Sequence, residues 1–95
     1  MSTAIIPVAK FRMGRIVATP NALSHLTEAD ILLGIRRHQA GDWGDLNAED
    51  RTANETALTR GGRLLSVYHA ANGTRFWLIT ESDRAVSTVL LPEDY

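Results

Sequence analysis

The residues whose types could do chemistry here are the three histidines (His25, His38, His69), an acidic run (Asp42, Asp45, Glu49, Asp50, Glu55), the serines Ser66, Ser82 and Ser87 among five, and the arginines Arg63, Arg75 and Arg84 among nine. None of the histidines stand at the i, i+4 spacing of a helical zinc pair, so their pattern supports no metal site. His38 falls at the end of a predicted helix, where a cation complements the dipole. His69 falls on the expected core side of a hairpin, as a buried, hydrogen-bonded histidine. Asp45, Asn47 and Glu49 fit the first three ligand positions of a calcium loop. The pattern then fails, with Asp50 where glycine is needed and Thr56 where a bidentate glutamate is needed. What remains of the run is an acidic surface around a helix N-terminus, or, on a sharper reading, a docking patch for a basic partner. The serines lack a nucleophile elbow. Gly61-Gly62 is explained as a helix stop without any phosphate. Arg63, Arg75 and Arg84 would gather near the C-terminal strands, where Glu81 and Asp83 offer ordinary ion pairs. The spacing thus supplies no catalytic constellation, cofactor site or metal site.

The 95 residues make a single domain, 1–95, with residues 1–9 read as a flexible N-terminal segment. Cysteine is absent, which removes disulfides and thiolate chemistry. Ten Lys+Arg against eleven Asp+Glu leave no basic surplus, which ranks nucleic acid below protein as a partner. Nine of the ten basic residues are arginine, a bias that suits bidentate pairing more than bulk attraction. The start, MSTAIIPVAKF, has no basic region before its short apolar run, and no stretch reaches the ~20 apolar residues of a membrane span. The expectation is a cytoplasmic protein without a membrane partner.

The elements that must position these groups can be placed. Phe11 to Thr19 reads as a strand, with Phe11, Met13, Ile16 and Ala18 inward and Gly14 at a bulge. It stops at Thr19-Pro20-Asn21. Ala22 to His25 is a short turn or helix. Thr27 caps a helix to Gln39 that buries Ile31, Leu32 and Ile35, and Asn47 caps another from Ala48 to Arg60. Asn72-Gly73 signals a hairpin. Taken as a two-residue loop, it sets Val67 opposite Leu78, His69 opposite Phe76 and Leu65 opposite Thr80 on one side. Tyr68 then opposes Trp77, and Ser66 opposes Ile79, on the other. A third strand runs from Ala85 to Leu91. The order β-α-α-β-β-β predicts an α+β domain: an antiparallel sheet with a C-terminal three-stranded meander and two helices packed on one face. Leu65, Val67, Phe76, Leu78, Val89 and Leu91 would form the helix-covered face. Tyr68, Trp77, Ile79, Val86 and Leu64 would leave a second apolar face, to be covered within the chain or by a partner.

The runs G-D-W-G (Gly41 to Gly44), G-G-R-L-L-S-V-Y (Gly61 to Tyr68), N-G-T-R-F-W-L-I-T-E (Asn72 to Glu81) and T-V-L-L-P-E-D-Y (Thr88 to Tyr95) resemble a group of small proteins. These are carried on bacterial plasmids and integrative conjugative elements. The resemblance spans about residues 11 to 95. It implies an accessory role for a mobile element, such as countering host defence, and brings no catalytic mechanism. More weakly, the element order and the hairpin resemble RelE-like ribonuclease toxins, for which Arg63, Arg75, Arg84, Tyr68 and Tyr95 would be the matching residue types. The reading that combines these observations is a non-enzymatic accessory protein that binds a macromolecule. Its partner is expected to be a host defence or regulatory protein, with a homodimer as a further option. Tyr68, Arg75, Trp77 and Thr88 are its candidate contact residues, and Asp45, Glu49 and Glu55 form a second surface. A ribonuclease toxin and a dimeric regulatory module are the alternatives.

Overall fold

The computed structural model describes residues 9–95, so the expected flexible N-terminal segment lies almost wholly outside the described residues. The fold is α+β: β1 (Arg15–Ala18), α1 (Pro20–His25), α2 (Glu28–Gln39), α3 (Ala48–Arg60), β2 (Leu64–His69), β3 (Arg75–Thr80), β4 (Val86–Leu90) and a closing 3₁₀ turn, Pro92–Asp94. The sheet order is β1-β4-β3-β2. The meander β2-β3-β4 is antiparallel as expected. β1 instead joins the outside of β4 in parallel, reached through the helices rather than a hairpin.

Local chemistry sets the helix starts. Thr19 accepts from Ala22 N with Pro20 in the first turn, and Thr27 with Asp30 forms a reciprocal capping box. Asn47 caps α3 by accepting from Asp50 N. Inside α2, Gly34 lies directly over Phe76. A Cβ there would sit 3.0 Å from Cε2 of that ring, so a side chain would hold the helix off the sheet.

The hairpin departs from expectation by one residue. Ala70 N donates to Thr74 O (2.8 Å) and Gly73 N to Ala70 O (2.9 Å), giving a three-residue loop with Gly73 at φ 88°. Asp30 and Asn72 tie this loop to the helices, by bonds from Ala71 N to Asp30 Oδ1 and from Asn72 Nδ2 to His25 O. A slip of one residue exchanges the faces of β2. Tyr68 pairs with Phe76, Ser66 with Leu78 and Leu64 with Thr80, while Val67 pairs with Trp77 and Leu65 with Ile79. The β3 and β4 assignments to the helix-covered face stand. Those of β2 are reversed.

One core, including Tyr68, Phe76, Leu78, Val89, Met13, Ala22 and Leu26, lies under α1 and α2. A second, of Trp43, Leu46, Ala57, Leu64 and Val67, wraps the outer edge of β2, where α3 packs. Among the described helices, α1 and α2 therefore cover this sheet face, and α3 closes its end. It does so through Asn54, which donates to Leu65 O (2.7 Å) and accepts from Leu65 N (3.1 Å). Two residues further along β2, Val67 N donates to Trp43 O and Asp45 N to Val67 O. The free edge of β2 is thereby satisfied by a side chain and a passing loop, which removes a template for strand addition.

Candidate functional site

The closure of β2 creates a groove. The loop after Gly44 and the first turn of α3 stand beside the sheet face turned away from α1 and α2, leaving a cleft of about 490 Å³. That face is largely covered within the chain: Val67 is 3% and Ile79 6% exposed, and the closing 3₁₀ turn packs against β3. The floor of the cleft is Leu65, Val67 and Trp77. Asp45, Asn47 and Asp50 form one wall, and Arg75 stands at the rim. The alternation of β3 puts Arg75 and Trp77 on this face together, with Ile79 beyond them. The Arg75 guanidinium is exposed and holds no ion pair or side-chain hydrogen bond among the described residues. Asp45 accepts from His69 Nε2 at 3.1 Å, and that bond, aided by the nearby charges of His69, Arg75 and Arg51, holds its carboxyl below the usual range. Trp77 Nε1 is buried without a hydrogen-bond partner among the described residues, and its ring meets Tyr95 edge-on at 5.6 Å.

The groove unites Asp45, Arg75 and Trp77 of the sequence-derived candidates. Thr88 shares their sheet face, paired with Ile79, but lies outside the groove. Glu49 is exposed in the first turn of α3. Glu55 accepts from Trp43 Nε1 (3.1 Å), which fixes the tryptophan between α2 and α3, and lines a shallow depression on the outside of α3 with Arg51, Thr52 and Arg60. Tyr68 does not face Trp77. It is 2% exposed on the opposite side of the sheet, donates its hydroxyl to Asp42 O at 2.5 Å and lies under the Arg37 guanidinium, 4.6 Å from its ring centre. Burial pushes its phenol far above the ordinary value. Arg37 and Asp42 form a two-point ion pair that lowers the Asp42 carboxyl.

The arginines of the meander are likewise separated. Arg84 turns into the fold at φ 61° and donates to the carbonyls of Ala57, Gly62 and Glu81, closing the end of α3. Arg63 pairs with Glu81 at 3.2 Å and donates to Tyr95 Oη at 2.8 Å. Only Arg75 among the three is uncommitted.

The histidine expectations exchange places. His69 is exposed beside Asp45, because the register slip turned it outward. His38 is fully buried. Its Nδ1 lies 2.5 Å from Ser66 Oγ and its Nε2 lies 2.9 Å from Thr80 Oγ1. Thr80 Oγ1 in turn lies 2.7 Å from Ser87 Oγ, which donates to Met13 O. Burial, reinforced by the Arg84 charge, lowers the His38 pKa to about 4. The constellation has the residue types of a serine-histidine relay, yet His38, Ser66, Thr80 and Ser87 are each 0% exposed. No substrate atom reaches them, and their bonds complete one another. The signal for this chain was available in α2: position 38 continues the inward stripe Ile31, Gly34, Ile35.

No family model matches the chain, and neither the curated proteins nor the solved structures provide a match. Among the described residues, no group of three histidine or acidic side chains is placed to hold a metal, and no helix is long and apolar enough to cross a membrane.

Proposed function

We propose that the protein acts without catalysis, in the cytoplasm, by binding a partner protein through the groove between α3 and the face of β2 and β3 turned away from α1 and α2. The observation that carries this reading is the uncommitted Arg75 standing over an apolar floor that contains Trp77. Aromatic and arginine anchors of this kind dominate protein recognition sites. The groove suits a segment with an apolar side chain for the Trp77 floor, an acidic group for Arg75 and a basic group for Asp45 and Asp50. Because the β2 edge is already occupied, such a segment docks by side chains rather than by adding a strand.

An accessory role for a mobile element, directed at host defence, rests on the sequence resemblance alone and belongs to this proposal. The ribonuclease alternative draws less from the geometry. It would need Arg63, Arg75, Arg84, Tyr68 and Tyr95 together, whereas Arg84 closes α3 and Tyr68 lies under the helices. Induced expression with and without Arg75→Ala and Arg84→Ala tests it through growth arrest.

The binding proposal is tested by affinity capture from the natural host with wild type, Trp77→Ala and Arg75→Glu. The expected result is a partner retained by wild type and lost by both variants while their thermal unfolding stays cooperative. Capture of the same proteins by all three chains would sink the groove as the site.

A further inference from the structure

We infer that two copies of this chain associate through the outer edge of β1, joining their sheets into one of eight strands. The two sheet edges are treated oppositely. β2 is sealed by Asn54 and by residues 43–45, whereas β1 is terminal in the sheet order and no described strand pairs with its outer side. Arg15 N and Thr19 N donate inward to Ala85 O and Val89 O, so alternation turns the N–H and C=O of Ile16 and Ala18 outward. An open edge of this kind is a template for strand pairing.

The occupant that fits is β1 of a second copy. Gly14, at φ 64°, and Pro20 bracket the strand, so a partner strand aligns over residues 15–19, the four residues of β1 together with Thr19. Antiparallel self-pairing centred on Val17 sets Ile16 opposite Ala18 of the second copy. That pair exchanges both hydrogen bonds, and its symmetry mate does the same. Val17 meets Val17, and Arg15 meets Thr19 rather than another arginine, so the register carries no like-charge contact.

Exposed apolar side chains collect at the same end. Ile16 is 44% exposed, and Leu23, on the helix separated from β1 by Thr19 alone and packed over β4, is 60% exposed. In α2, Gly34 and His38 face the sheet while Asp30 and Arg37 reach toward β2 and its hairpin. At 3.6 residues per turn Leu32, 51% exposed, is then left on the opposite flank, toward α1 and β1. Ile16, Leu23 and Leu32 were expected inside or were unassigned, and a two-fold contact at β1 gives them a common cover. An interface of one short strand pair and three apolar side chains per copy falls at the small end of specific interfaces, with an affinity in roughly the micromolar range.

Sedimentation equilibrium of the full chain from about 5 to 500 μM tests this, with amide exchange at both ends of the range. The expected mass rises from 10.4 kDa toward twice that value, and the Ile16 and Ala18 amides exchange more slowly at high concentration. Ile16→Lys and Leu23→Glu are expected to weaken self-association at least tenfold without lowering the unfolding temperature measured at low concentration. Arg75→Glu, in the groove, is expected to associate as wild type does. A constant 10.4 kDa mass overturns the inference. So does a dimer that survives Ile16→Lys and Leu23→Glu together, or one in which the Ile16 and Ala18 amides gain no protection.

Discussion

Acidification should weaken the fold through His38 before the lowered carboxyls of Asp30, Asp42, Asp45 and Asp94 respond. The imidazole has a pKa of about 4 in the folded protein and about 6.5 when the chain is unfolded. Between those values the unfolded state binds the proton and the folded state does not. The stability that a neutral His38 supplies is therefore complete above about pH 6.5 and is lost as the pH falls toward 4. At ~1.4 kcal/mol per pKa unit, the loss is about 1 kcal/mol at pH 5.5 and about 2–3 kcal/mol at pH 4.5. That is a large share of the roughly 5–15 kcal/mol typical of a domain. Asp30, Asp42, Asp45 and Asp94 all have lowered pKa values, so their contributions disappear only below about pH 4, which leaves the window above it to histidine. Urea unfolding followed by tryptophan fluorescence at pH 7.5, 6.5, 5.5 and 4.5 reads the slope directly. His38→Gln keeps a donor and an acceptor near Ser66 and Thr80 but cannot titrate, so its stability should be lower at pH 7.5 and nearly flat to pH 4.5. A flat wild-type profile, or an unchanged slope in His38→Gln, would refute the assignment.

Two further substitutions probe the packing that shapes the groove. Asn54→Ala removes both bonds to Leu65 and should lower stability by about 2–3 kcal/mol in urea unfolding while making the chain prone to aggregate through β2; a loss below about 0.5 kcal/mol would mean water seals that edge as well. Gly34→Ala should gain about 1 kcal/mol from helix propensity, yet its Cβ meets the buried Phe76 ring, so a net loss of about 1 kcal/mol is expected. A raised melting temperature would show that the ring yields.

The class of fold was legible because β3 and β4 are short apolar runs bounded by turn residues and the helix caps Thr27 and Asn47 are local signals. The faces of β2 were not. Its run Leu64-Leu65-Ser66-Val67-Tyr68 has no clean alternation, so register had to come from the turn, and Asn72-Gly73 admits both a two-residue and a three-residue loop. The helices decide between them by holding Ala71 and Asn72, which is tertiary information. That single residue explains most of the site's misreading: it carries Tyr68 inward, turns His69 outward and lays Val67 beside Trp77 on the groove floor. Arg75 and Trp77 were placed together because β3 alternation depends on no turn. Arg84 was misread because nothing local shows that the next turn folds its guanidinium back onto the end of α3.

The two edges of the sheet give the two proposed surfaces a definite relation. The groove lies at the β2 end and the self-pairing strand at the β1 end, so neither blocks the other. Antiparallel pairing of β1 with its copy keeps corresponding sheet faces on one side, because the two-fold axis is perpendicular to the sheet. Both grooves would then open on the same side of an eight-stranded sheet, near its two ends. Seven strand spacings of ~4.8 Å set them about 34 Å apart. A partner presenting two segments at that separation gains avidity from the dimer without any new contact, whereas a single segment gains nothing. Ile16→Lys should therefore cost affinity only toward a bivalent partner, and Arg75→Glu should cost it toward both. Those losses differ in kind, so failure of the groove and failure of the dimer cannot be mistaken for each other.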